Sequence, residues 1–184
     1  MPWPWQAYRF KLFYLAGQKQ ESVKDWIEQC WQQRIKSRLF QGWLTALPWL
    51  QERNAHILLL SGTPRPLAEP LMRYFAIDYA LCGEPEILHG FYTGRLCKPH
   101  PWDGYKYTYA QEWMQENGYT WQETLVIAND WPDRHVLSAG KAMVIRPGFR
   151  LTRLAQKKNW PVITHPDDRH EIVDQLALFY NENQ

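Results

Sequence analysis

Three short, uninterrupted apolar runs constrain this chain more than any other feature. They are "AHILLLSG", "TLVIAND" and "AMVIRPG", ending at Gly62, Asp130 and Gly148. A strand with one wet face alternates apolar and polar residues, whereas a strand that is apolar at every position is buried on both faces. The intervening segments "PRPLAEPLMRYFAI", "WDGYKYTYAQEWMQENG", "DRHVLSAG" and "FRLTRLAQKKNW" have the apolar spacing and flanking residues of helices, with Gly118 and Gly140 as stops. "DYALC" reads as a further strand, "EILHGFYTGRLC" as a hairpin turning near His89–Gly90, "PVITH" as a last short strand and "PDDRHEIVDQLALFYNE" as a terminal helix. Strands alternating with helices of these lengths predict an α/β fold with a mainly parallel sheet and helices on both faces. Right-handed crossovers in such a sheet bring the C-terminal ends of the strands to one edge, where ligands bind.

Residues 5–50 have a different texture, almost without strand signal. Val23, Trp26, Ile27, Cys30 and Trp31 fall on one helical face, Glu21 and Ser22 make a start, and Gly42 and Pro48 interrupt the pattern. Two or three helices are expected there, so residues 1–50 read as a helical segment and residues 51–184 as the α/β core. The 184 residues suit one ordinary domain with a small appendage, and 45% hydrophobic against 22% charged residues is a globular composition.

A net charge of +2, with both signs spread along the chain, argues against a dedicated nucleic-acid binder. Cys30, Cys82 and Cys97 are odd in number and lack CxxC spacing, which fits a reducing, cytoplasmic compartment better than a disulfide framework. Charges at Arg9 and Lys11 break the apolar stretch near the N-terminus, so it reads neither as a membrane span nor as a secretory signal. Trp3, Trp5 and Tyr8 leave room for a weak surface contact with membrane.

Polar groups collect at the predicted strand ends. Ser61 and Thr63 flank Gly62 after the first buried run, where a hydroxyl and backbone N–H groups can hold a phosphate oxygen; a plain strand-to-helix turn is the alternative. Lys106 lies in the first turn of its helix, against the helix dipole, which an anion in front of the ammonium would offset. Lys98 in "CKPHPW" competes for that role, and an ordinary exposed lysine is the alternative. Asp130 and Asp133 end the second buried run, placed either to ligate Mg²⁺ and position its surroundings or to cap a helix. The cluster His165, Asp167, Asp168 and His170 reads as an acidic helix start rather than a metal site, and His100 as a loop residue between prolines. The Trp/Tyr-rich segment 105–121 reads as packing rather than a base-stacking platform.

The order hydroxyl, lysine, Asp pair resembles the haloacid dehalogenase superfamily of phosphatases, closest to its phosphoserine phosphatase-like branch. Ser61 in "LLLSGTP" matches the second motif of that family, Lys106 the third, and "ANDWPD" the fourth. "HGFYTGRL" and "GFRLTRLAQKKNWPVI" are similar to the stretches between the second and third motifs and after the fourth, so the likeness spans roughly residues 35–165. It implies a Rossmann-like core with a helical cap and Mg²⁺-dependent hydrolysis of a small phosphorylated substrate. Ser61, Gly62 and Lys106 would bind the phosphoryl group, Asp130 the metal, and Lys106 and Asp133 would support catalysis. The implied partner is that substrate, with no nucleic acid.

Two departures qualify the resemblance. The family's first motif, Asp-x-Asp-x-Thr, carries the attacking carboxylate and the general acid–base, and it is absent from these 184 residues. Either the sequence is truncated, the reading favoured here, or it belongs to a relative that binds a phosphorylated ligand or partner without hydrolysing it. The strand that precedes this motif is central in the family's sheet. Its loss leaves the strands at Ile57–Leu60 and Leu125–Ala128 to pair directly, to accept a strand from another chain in a homodimer, or to keep open edges. Asn129 also stands where the family has Gly.

Overall fold

The computed structural model describes residues 12–181. In chain order its helices are α1 (Gln20–Cys30), α2 (Gln41–Gln51), α3 (Arg65–Tyr74), α4 (Gly104–Asn117), α5 (Arg134–Leu137), α6 (Phe149–Lys158) and α7 (Glu171–Asn181). The strands are β1 (Leu58–Pro64), β2 (Tyr79–Gly83), β3 (Pro85–Leu88), β4 (Phe91–Leu96), β5 (Leu125–Ala128), β6 (Lys141–Ile145) and β7 (Val162–Ile163). They fall into two compact units. One comprises the chain up to Arg38 with Ile57–Tyr105, the other Leu39–His56 with the chain from Lys106 onward. Trp3, Trp5 and Tyr8 lie outside the described residues, and no described helix is long and apolar enough to cross a membrane.

The second unit is a parallel sheet in the order β5-β6-β7. Because side chains alternate across a strand, the apolar run of β6 divides between two cores. Met143 and Ile145 pack with Ala46 of α2 and Ile172 and Leu176 of α7. Ala142 and Val144 pack with Leu137 of α5 and Leu151 and Ala155 of α6. β5 divides in the same way, Leu125 and Ile127 to the first core, Val126 and Ala128 to the second. Full burial of residues such as Met143 and Val144 contributes about 2 kcal/mol each.

In the first unit β1 pairs in parallel with β2, and β3 with β4 as an antiparallel hairpin. Leu12, Leu15, Val23, Ile27, Tyr92 and Leu96 form its core, so α1 covers the hairpin. Arg65 at the start of α3 donates to the Glu84 carboxylate at 2.5 Å and to the Ala80 carbonyl at 2.8 Å, fixing the β1–α3–β2 crossover. Among the described residues β1 pairs with β2 alone and β5 with β6 alone, so each keeps one edge without a ladder.

The α/β architecture, the hairpin and the stop at Gly118 are as expected. Gly118 has φ +76°, and the Tyr119 N–H reaches back to the Met114 carbonyl at 2.9 Å, closing the helix end. Three details differ. Gly42 and Pro48 do not interrupt a helix but lie inside α2, because Pro48 turns its ring to solvent while Ala46 and Leu47 anchor the buried face. The segment after Asp133 is a single helical turn, α5, preceded by a 3-10 turn at Trp131–Asp133. The terminal helix starts at Glu171, because its acids serve the preceding loop. The Glu171 carboxylate accepts from the Thr164 and His165 N–H groups (3.2 and 2.9 Å), and Asp167 accepts from Gln41 at the start of α2.

Gly42 lies against that loop. A Cβ there would stand 2.5 Å from the Pro166 carbonyl oxygen and 2.8 Å from Ile172. Gly42→Ala is therefore expected to destabilise the fold by about 1–3 kcal/mol in urea unfolding, despite the better helix propensity of alanine. Cysteine reactivity gives a second check. Burial pushes the Cys82 thiol up to about 11, whereas Cys97 is exposed. At pH 8 only about one Cys82 in a thousand is thiolate, so mass spectrometry after brief alkylation should find Cys97 labelled and Cys82 intact.

Candidate functional site

In the second unit the chain leaves β5 through Asn129 and Asp130, both exposed, and turns at Trp131–Asp133. One Asp130 oxygen accepts from the Trp131 N–H at 2.7 Å, and the Asp133 N–H donates to the Asp130 carbonyl at 3.1 Å. Capping therefore occupies one carboxylate oxygen of Asp130, on an exposed side chain. Asp133 points inward and is 7% exposed, the buried charged residue among those described.

Asp133 meets Lys106, whose ammonium donates to Oδ1 in a short charged hydrogen bond. Their side chains are only 10% and 12% exposed. Lys106 lies three residues into α4, so the ammonium that opposes the helix dipole is matched by a carboxylate brought from 27 residues away. A buried pair gains little net stability when whole, but removing one partner strands the other charge. Lys98 lies in the exposed loop after β4 in the first unit.

At the C-terminal end of β1, Ser61 is half-buried and its Oγ accepts from the Thr63 N–H at 3.1 Å. That bond uses a lone pair and leaves the O–H as a donor. Gly62 allows a close approach: a Cβ there would sit tightly against Nε2 and Cε1 of His100, at 3.2 and 3.3 Å. The same imidazole lies 3.6 Å from the position of a Cβ on Gly83 at the end of β2. His100 thus covers the ends of both parallel strands. Sequence reasoning left it in a loop. The available signal was "KPHPW", since flanking prolines hold a backbone rigid enough to place a side chain.

Other expectations resolve as packing. Tyr107 stacks on Trp121 at 5.5 Å and Trp113 on Tyr119 at 5.3 Å, so these rings face one another. Asp167, Asp168 and Glu171 accept from backbone N–H groups, and no group of three metal-ligating side chains is found among the described residues.

In each unit polar side chains follow the C-terminal part of a parallel strand, Ser61 in the first and Asp130 and Asp133 in the second, the end at which α/β folds bind ligands. A sequence model of the haloacid dehalogenase-like hydrolases matches residues 3–138, and the chain belongs to that family. It is 27% identical over 133 residues to a phosphoserine phosphatase of Streptococcus thermophilus (strain ATCC BAA-250 / LMG 18311), an alignment covering 70% of this chain and 59% of that relative's length. Its structure superposes on a Bordetella pertussis Tohama I protein of unknown function with a TM-score of 0.79 at 21% identity, covering 86% of this chain and 73% of the other. An apo phosphoserine phosphatase gives 0.68 at 17% identity, covering 92% and 79%. These structural likenesses concern the fold.

Lys106→Met is expected to cost about 3 kcal/mol in unfolding free energy, because Asp133 would remain buried without a counter-charge. The double variant Lys106→Met/Asp133→Leu should recover most of that loss, which denaturant titration of all three proteins would measure.

Proposed function

We propose that these residues form the phosphate- and metal-binding part of a Mg²⁺-dependent phosphate monoester hydrolase acting on a small phosphorylated substrate. The observation that carries the reading is the buried pair of Lys106, in α4, with Asp133, just after β5, beside an exposed Asp130 at the strand tip, in a chain of this hydrolase family. The donor chemistry fits the metal: Mg²⁺ binds through one or two carboxylates together with waters and phosphate oxygens, and Asp130 has an uncapped oxygen. When bound there, Mg²⁺ would supply charge neutralisation to the phosphoryl oxygens.

Phosphoryl transfer depends on positioning and on charge placed before the reaction, more than on covalent work by the protein. In this reading the Ser61 hydroxyl and the Gly62 N–H hold phosphoryl oxygens. Lys106 supplies a positive charge for a phosphoryl group, and Asp133 holds the ammonium at a fixed point. None of these groups attacks phosphorus. The reading therefore needs a nucleophile from an Asp-x-Asp segment that these 184 residues do not contain. The absence of Asp-x-Asp from the 184 residues favours a second reading, a relative that binds a phosphorylated ligand without hydrolysis.

Calorimetric titration of Mg²⁺ in the presence of inorganic phosphate should show binding that weakens at least tenfold, about 1.4 kcal/mol, in Asp130→Asn. Equal affinity in that variant would remove Asp130 from the metal site. A chain extended upstream to include Asp-x-Asp should hydrolyse an aryl phosphate with Mg²⁺, and binding without turnover in that longer chain would select the second reading.

A further inference from the structure

Charge is less evenly spread than the net value of +2 suggests. Residues 134–158 contain seven Lys and Arg residues and no Asp or Glu, whereas the remainder of the chain has 14 basic and 19 acidic residues. The whole excess of positive charge is therefore local. It lies on one connected part of the second unit: α5, β6 and α6.

Helix α6, "FRLTRLAQKK", buries Leu151 and Ala155 in the sheet core, and every charged residue on its exposed side is a cation. Arg150, Arg153 and Lys157 are spaced i, i+3, i+7, on one helical face, and all are exposed. Like charges at these spacings repel, and Arg150 in the first turn opposes the helix dipole. No ion pair to Arg146, Arg150 or Arg153 occurs among the described residues. Instead their guanidinium groups lie over aromatic rings: Arg150 is 4.4 Å from the Trp131 ring, Arg153 5.0 Å from Phe149 and Arg146 5.6 Å from Phe40. Phe149, at the head of this basic face, is 74% exposed.

We propose that this face docks the protein on the anionic surface of a lipid bilayer. Cations arrayed along a helix attract anionic headgroups at about 1 kcal/mol each, and an exposed phenylalanine beside them suits the boundary between headgroups and acyl chains. A nucleic acid fits less well. Single-stranded nucleic acid uses free aromatic faces for base stacking, and here guanidinium groups already lie over the Trp131 and Phe149 rings. The remaining contacts are N–H donors and the Phe149 ring edge, which suit phosphates above an apolar layer. The proposal is independent of any hydrolytic activity and is tested without metal or substrate.

The test is co-sedimentation of the 184-residue chain with vesicles of phosphatidylcholine alone, or with roughly three in ten lipids replaced by phosphatidylglycerol. The parent chain should partition at least about 100-fold more strongly to the anionic vesicles, and the advantage should fall as salt rises from about 0.05 to 0.3 M. Arg150→Gln/Arg153→Gln/Lys157→Gln should lose about 100-fold of that binding, and Phe149→Ser about fivefold with its salt dependence retained. Lys24→Gln/Lys36→Gln/Arg38→Gln removes the same charge from exposed positions in the first unit and should bind as the parent does. Circular dichroism confirms folding of each variant. Equal partition of the parent to both vesicle types would overturn the proposal. So would equal losses in the two triple variants, or binding of heparin in place of anionic vesicles.

Discussion

Everything in the second unit depends on β6 being apolar on both faces. A strand with Ala142 and Val144 on one side and Met143 and Ile145 on the other cannot leave either side wet. It therefore needs two helical layers, and the connections between parallel strands supply one of them through α5 and α6. The other layer comes from opposite ends of the unit's sequence, α2 and α7, which meet each other as well as the sheet. The loop before α7 is bound to the first turn of α2 through the Gly42 and Gln41 N–H groups, and this is why a glycine stands there.

A sheet enclosed in this way presents its strand ends as the place where backbone and side-chain polar groups meet solvent. Asp130 and Asp133 show the consequence. Three residues apart, they receive opposite environments because the 3-10 turn points one outward and the other under α4. The outward carboxylate caps the Trp131 N–H, while the inward one is committed to Lys106. Burying that pair costs desolvation that an apolar pair would avoid, and each partner depends on the other for its counter-charge. The surface beside it is basic, with both Arg134 and Arg150 over the Trp131 ring.

How much of this was legible in advance varies residue by residue. Strands apolar at every position announce themselves, because only burial on both faces makes such a run tolerable, and β1, β5 and β6 appear where the apolar runs stand. Gly118 is legible as a stop because a left-handed residue is needed there and glycine adopts it without a Cβ clash. Pro48 was misleading: its local cost says stop, yet an exposed ring beside buried Ala46 and Leu47 is outweighed by packing. His100 was illegible as a neighbour of Gly62, since nothing local states which strand ends a loop imidazole will cover.

The sequence by itself determined the α/β class, the strand positions, the order of hydroxyl, lysine and paired aspartates, and the family those motifs resemble. These follow from periodicity and from residue types, which are local properties of the chain. Tertiary structure alone decided that Lys106 and Asp133 bury together, that Gly62 makes room for an imidazole, and that α2 and α7 share a face of the sheet. It also turned an unremarkable net charge into one basic face, because α6 must bury Leu151 and Ala155 and so turns Arg150, Arg153 and Lys157 outward together. Each of these requires residues distant in sequence to meet, and that meeting is set by which apolar surfaces can be buried at once.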